Sequence, residues 1–355
     1  MLYKEDWTEV KEHYKAWWNN ETDEPILHVA APKKGYEKTL SWWGWGFAKD
    51  PKNPQNTIDQ FEDYCRKVWF GGDAYPDLWI NLGAGVAATF IGAQPRFRGD
   101  SETVWFETPK TWTEIEETDY TPHGEWWQTT KDITRYVAEK GKDKFTAGIT
   151  DLGGITDILA SLRGSQNLIV DCFRNPEKVK AASQKILDTW HTCYDELYLI
   201  SEGRTRGNSA WMGLWSKECW YPIQCDFAAM LSPKLFTELA FPYIKEQCKR
   251  LERTIYHLDG PGEIPHLDAL LSIPELDGIQ WTPGAGHSNI TSPQWLSLYT
   301  KIQEKGKKLV LLDAPEAEAQ FLTKNLEPKG LQIKTFCKNE DKARTLLKAL
   351  GRKQR

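Results

Sequence analysis

No stretch of this 355-residue chain approaches the ~18 consecutive apolar residues that a membrane-spanning helix needs. The opening segment, MLYKEDWTEVKEHYK, is charged and helix-like, and it has no apolar core of the kind a signal peptide carries. Cysteine is sparse and oddly counted. Seven residues without close paired spacing do not form a disulfide framework, which points to a reducing, cytoplasmic setting. Positive charge is not in excess either: the formal net charge is −5, which leaves no basic footprint for nucleic acid. The only basic tract is GRKQR, residues 351–355, which reads as a short exposed tail. Neither GxGxxG nor GxxxxGK[ST] occurs, so nothing supports a dinucleotide-binding or P-loop domain.

What the chain does have is tryptophan, 18 residues of it, against a background of 40% hydrophobic and 27% charged residues. An indole joins a flat apolar face to a single N–H donor, so each one fills a core or lines a ligand. The segment WWGWGFAKDP is punctuated by Gly and Pro and reads as a loop; Trp42, Trp43 and Trp45 are therefore expected to line a pocket. Trp211, Gln280 and Trp281 are expected to join them as substrate-binding residues.

Short apolar runs recur along the chain with helices between them. They are 25–31, 78–83, 145–150, 209–214, 253–259, 278–284, 308–314 and 331–337. Most are continuously apolar rather than alternating, which is the pattern of strands covered on both faces. Helical spacing, Pro at the first turn and Ser or Asn caps mark segments 175–197, 232–254 and 339–351. Eight strand–helix alternations over ~350 residues predict an α/β fold, a (β/α)8 TIM barrel with an elaborated N-terminal region. The expected organisation is a single domain over residues 1–350, with 1–24 and 84–140 elaborating the rim.

A barrel of this kind carries its chemistry at the C-terminal ends of its strands. There the sequence offers Asp151 after the third run, then Glu218, Gln224 and Asp226 after the fourth. The fifth run, TIYHLDGPG, ends in His257 and Asp259. Residues i and i+2 of a strand point to the same side, so imidazole and carboxylate are expected to open together into the mouth. Such a pair can share a proton or bind a metal, and Cys337 at the end of the last run is the expected third ligand. Single residues also have plainer uses: Asp151 and Asp226 suit helix N-caps, and Cys172, Cys193 and Cys248 suit core packing.

Two stretches, QCDFAAMLSPKLFTELAFPYIKEQ leading to YHLDGPG, and GGITDILASLRGSQNLIVDCFRNPEKVKAASQKI, resemble the uroporphyrinogen decarboxylase superfamily. That superfamily includes corrinoid- and zinc-dependent methyltransferases. The resemblance covers roughly residues 145–350 and implies the same barrel fold. Its methyltransferase members hold zinc with a His-x-Cys pair and a later Cys. His257 falls on the first position and Cys337 lies in the region that would supply the later thiolate, while Asp259 stands where the second cysteine would be. The implied function is a corrinoid-linked, metal-dependent methyltransferase-type enzyme acting on a small methylated, even methoxylated, substrate. Zn2+ would be held by His257, Asp259 and Cys337, with Asp226, Glu218, Gln224 and Asp151 handling protons. No Asp-x-His-x-x-Gly motif occurs, so the corrinoid would arrive on a partner or free.

Two other readings stay open. One is a metal-independent lyase of the decarboxylase type, with Asp73 or Asp151 stabilising a protonated intermediate. Its polycarboxylate substrate would need arginines, and the candidates are Arg96, Arg98, Arg163, Arg204 and Arg206. The other is a non-enzymatic carrier of a corrinoid or porphyrin.

Overall fold

The computed structural model describes residues 1–97 and 103–351; Arg98 and residues 352–355 of the basic tail lie outside them. Eleven strands are found among the described residues: β1 (Ile26–Pro32), β2 (Val68–Gly72), β3 (Asp77–Trp79), β4 (Pro95–Phe97), β5 (Val104–Phe106), β6 (Thr146–Gly148), β7 (Trp220–Gln224), β8 (Arg253–Asp259), β9 (Gly278–Thr282), β10 (Lys308–Leu311) and β11 (Leu331–Phe336). Seven of them form one sheet in the order β2-β1-β11-β10-β9-β8-β7, parallel throughout except for β2. β3 and β6 make a separate parallel ladder, extended by a single bridge from Gly148 to Ser209. β4 and β5 form a small hairpin at the surface.

The continuously apolar runs become buried strands because helices cover them. Every residue of β7 and β10 is buried, and so are six of the seven in β1. The helix caps read from the sequence are real. Ser232 Oγ accepts the Leu235 N–H and Asn339 Oδ1 accepts the Lys342 N–H. The helix expected over 232–254 is broken into Pro233–Leu239 and Phe241–Arg250. Pro242 has no N–H for the carbonyl one turn back, and the chain kinks there.

One strand assignment moves. Residues 209–214 do not form a strand: only Ser209 pairs, and the backbone then turns through Gly213 at φ +69°. Asn208 and Ser216 exchange both backbone hydrogen bonds and close this turn into a loop. The strand follows it, as β7. No helix among the described residues is long and apolar enough to cross a membrane.

Half of the 18 tryptophans are buried in the core. Trp17, Trp18, Trp190, Trp215, Trp220 and Trp281 are fully buried. Five of these indoles donate to backbone carbonyls, Trp17 to Leu331, Trp18 to Trp215 and Trp190 to Gly153 across long separations, and Trp215 to Arg206 and Trp220 to Asn208 across the loop before β7. Each therefore ties two segments together besides filling volume.

Candidate metal-binding cluster and adjoining cavity

Register decides what shares a face. Gln224, His257 and Gln280 lie side by side across β7, β8 and β9. One row nearer the C-terminal edge, Asp259 pairs with Thr282, and His28 of β1 pairs with Lys334 of β11. Because side chains alternate along a strand, His257 and Asp259 project to one side, as the spacing predicts.

Asp226, the first residue after Cys225 beyond β7, completes a group of three. One ligand atom each from Asp226, His257 and Asp259 lies within 4.8 Å of the others. Nitrogen and carboxylate oxygen are accepted ligands of several divalent ions, and three protein donors leave a position open. Cys337 is not in the group. It follows β11, separated from β8 by β10 and β9, so roughly 14 Å of sheet lies between them. It is fully buried, with its thiol pushed up to about 12 by burial, then by Glu316. Its place in the sheet, not its protonation, keeps it out of the ligand group.

The imidazole is oriented from behind. Gln280 Nε2 donates to the Trp281 carbonyl and to Thr282 Oγ1, both at 2.8 Å, which fixes its Oε1 as the acceptor facing His257 Nδ1. His257 Nδ1 therefore carries the proton, and Nε2 keeps its lone pair for a ligand. Replacing Gln280 by Leu is expected to weaken divalent-metal binding about tenfold to a hundredfold. Titration with a metallochromic indicator measures it, and unchanged affinity would show that the hydrogen bond does not orient the ring.

Further acids stand near these three. Asp157 accepts the backbone N–H groups of Asp226 and Phe227, at 3.1 and 2.8 Å, and so fixes the turn that presents Asp226. Asp151 accepts the Gly153 N–H at 2.8 Å. Glu263, fully buried, accepts from Tyr256 Oη at 3.0 Å and leaves Oε1 without a partner among the described residues. Burial pushes the Asp151 carboxyl up to about 7 against the pull of the Gly153 N–H, and pushes Glu263 up to about 10, with Asp226 adding to the rise. Asp157 and Asp226 are also raised by burial, Asp157 further by Asp226, and Asp226 further by Asp259 against the pull of His257. Asp226 feels this although the residue as a whole reaches solvent, because its carboxyl is the part turned toward the other acids. Gly154 lets this turn approach β7: a Cβ there would sit 2.2 Å from the Gln224 carbonyl oxygen.

The other expected residues divide. Gln224 is buried in the row beside His257. Glu218 precedes β7 and bonds to Ser216, so a strand's length separates it from the C-terminal edge. It belongs to the wrong end of the sheet for this chemistry. Trp211 touches the His257 ring edge-on, with centroids 5.0 Å apart. Trp281 is fully buried on the face opposite Gln280 and packs against Trp295, not toward the cluster. Of the loop tryptophans, Trp42 packs on Phe61 and lines a cavity, Trp45 rests against the core, and Trp43 is 44% exposed.

That cavity, about 260 Å³, is walled by Trp42, Trp211, Trp79 and Tyr64; besides Thr335 and the exposed Asp313, its polar lining holds three buried or half-buried groups, His28, Asp77 and Lys334. Those three were not anticipated. The signal was there: a lone His in ILHVAAP and a lone Lys in LQIKTF interrupt strands that are otherwise nearly apolar. Burial, then Lys334, pushes the His28 imidazole down to about 3, so it is neutral. None of the described candidate arginines lines the cavity. Arg163 pairs with Asp171 at 2.7 Å, and Arg206 bonds three backbone carbonyls. Asp73 is buried between His13 and the Leu27 N–H.

The protein is similar to the solved structure of a methyltransferase from Methanosarcina mazei, with a TM-score of 0.59 and 11% identity over 96% of this chain and 98% of that one. At that identity the likeness is one of fold. No model of a known protein family matches the chain. No curated protein matches it either.

Proposed function

We propose that this protein is a methyltransferase-type enzyme in which His257, Asp259 and Asp226 hold a divalent metal ion, with a corrinoid supplied by a partner protein or free in solution. Three convergent donors at the C-terminal edge of a mainly parallel sheet carry the reading, and the methyltransferase neighbour supports it. The same proposal takes the two parallel ladders as arcs of one (β/α)8 barrel. Tyr221 Oη favours this by donating to the Thr150 carbonyl and accepting from the Leu152 N–H, which joins β7 to the chain just after β6.

The donor set fits a hard or borderline ion. With an imidazole and two carboxylates, and without a thiolate, zinc is one acceptable occupant among several. A bound ion would supply Lewis acidity toward an electronegative atom of a small methylated substrate. The chain's own contribution is orientation and proton storage. Gln280 sets the His257 tautomer, Asp157 holds the Asp226 turn, and Trp211 shields one side of the imidazole from water. Asp151, raised by burial to about 7 and acted on by Asp226, stores a proton near neutral pH beside the cluster.

The experiment is elemental analysis of the purified protein beside its His257→Ala variant. About one equivalent of a divalent metal in the parent, lost in the variant while the fold is retained by circular dichroism, is the expected result. A parent that neither retains nor takes up metal would overturn the reading and return attention to the metal-independent lyase.

A further inference from the structure

The cavity behind Trp211 holds two opposite charges that do not meet. Lys334 reaches it from β11, half-buried, and among the described residues its ammonium has no hydrogen-bond or ion-pair partner. Asp77 reaches it from the start of β3. Its Oδ1 accepts from Thr146 Oγ1 and its Oδ2 from Ser209 Oγ, both at 2.7 Å. Both donors are neutral hydroxyls, which orient a carboxylate without adding positive charge, and Lys334 acts on it without ion-pair contact. Burial raises the Asp77 carboxyl to about 6, so it is still largely ionised at neutral pH. A half-buried carboxylate and a half-buried ammonium facing one small volume, held out of ion-pair contact, is a costly arrangement without a ligand between them.

The rest of the wall says what kind of ligand. Trp42, Trp79, Trp211, Phe61 and Tyr64 surround the space with ring faces and edges. Trp42 and Phe61 meet edge-on at 5.0 Å, and Tyr64 stacks on Phe61 at 6.1 Å. Aromatic walls beside a carboxylate attract a cation whose own hydrogen-bond demand is low, which is the property of a methylated ammonium. A primary ammonium would bring three donors to a wall whose half-buried carboxylate, Asp77, already accepts on both oxygens, while the other lining carboxylate, Asp313, is exposed to solvent. His28, neutral and bonded to Tyr14, adds no competing positive charge. At about 260 Å³ the cavity suits a compact molecule.

We infer that this cavity binds a small betaine, a zwitterion whose carboxylate meets Lys334 and whose N-methylated ammonium sits among the aromatic rings beside Asp77. The inference deepens the methyl-transfer reading by naming a methylated ligand, and it rests on that reading only for the ligand's fate. Binding itself needs no metal. The two can therefore fail separately.

The test is calorimetric titration of chelator-treated full-length protein with four probes: glycine betaine; 3,3-dimethylbutanoate, which keeps the carboxylate and replaces N⁺ by carbon; choline, which keeps the cation without the carboxylate; and 4-methoxybenzoate. Glycine betaine is expected to bind at least tenfold tighter than any of the others. Lys334→Gln is expected to abolish its advantage over choline, and Asp77→Asn its advantage over 3,3-dimethylbutanoate. Trp42→Leu, on the aromatic wall, is expected to weaken betaine and choline alike, about tenfold. Equal affinity for betaine and its carbon isostere would overturn the inference, as would tighter binding of 4-methoxybenzoate, or no betaine binding at all by the folded parent.

Discussion

Glu263→Gln is expected to stabilise the metal-free protein at pH 8 by about 2–3 kcal/mol and to leave its stability at pH 4 nearly unchanged. The carboxyl is fully buried, one oxygen has no partner, and the proton is held up to about 10. In the unfolded chain the same group ionises near 4.5. A folded value above the unfolded one means that the native state binds the proton more tightly. That contribution is complete below the unfolded value and is lost as pH rises toward the folded one, at up to about 1.4 kcal/mol per unit. The full difference between pH 4.5 and 8 overstates the effect, because local opening and water relieve part of it. Glutamine cannot ionise, keeps the shape, and still accepts from Tyr256. Urea unfolding in the presence of a chelator at pH 4, 6 and 8 measures this. A stability difference that does not grow with pH would show that Glu263 is not the buried acid described here. Some slope is expected to survive in the variant, since Asp151 is raised in the same direction, to about 7.

Trp190→Ala is expected to cost about 3–5 kcal/mol, more than an ordinary core truncation at the low end of that range, because two kinds of contact are lost together. The ring, on the helix Pro176–Ile200, lies parallel to Tyr194 at 5.7 Å and edge-on to Tyr221 at 5.3 Å. Its N–H donates to the Gly153 carbonyl at 3.0 Å. Gly153 in turn gives its own N–H to Asp151, so the indole anchors the turn that places the buried acids. Trp190→Phe keeps most of the volume and removes the donor, and is expected to cost about 1–3 kcal/mol. Denaturant unfolding separates the two variants. If they cost the same, the hydrogen bond contributes nothing and packing alone explains the alanine result.

Much of the sheet was legible in the chain because parallel strands covered on both faces are continuously apolar, and seven of the eight expected runs contain a strand. The eighth, 209–214, is apolar for a different reason: it is a buried loop whose side chains, Ala210, Met212 and Leu214 among them, fill the core without backbone pairing. Periodicity cannot distinguish these cases, since burial is what apolarity reports and hydrogen bonding leaves no comparable trace. The tryptophans were legible as a compositional signal only. Whether an indole fills the core, as Trp281 does, or walls a cavity, as Trp42 does, depends on neighbours from other segments.

The sequence by itself determined that His257 and Asp259 open to the same side, since an i, i+2 relation is a property of any strand. It also determined that the strands would be buried and mainly parallel, and where several helices would begin. Only the tertiary structure decided that Asp226 rather than Cys337 stands with that pair, that Glu218 lies at the far end, and that Glu263, Asp77, His28 and Lys334 face shared interiors. The physical reason is range. Strand alternation and helix caps act over a few residues, whereas the grouping of charges depends on which strands become neighbours and on the water their packing excludes.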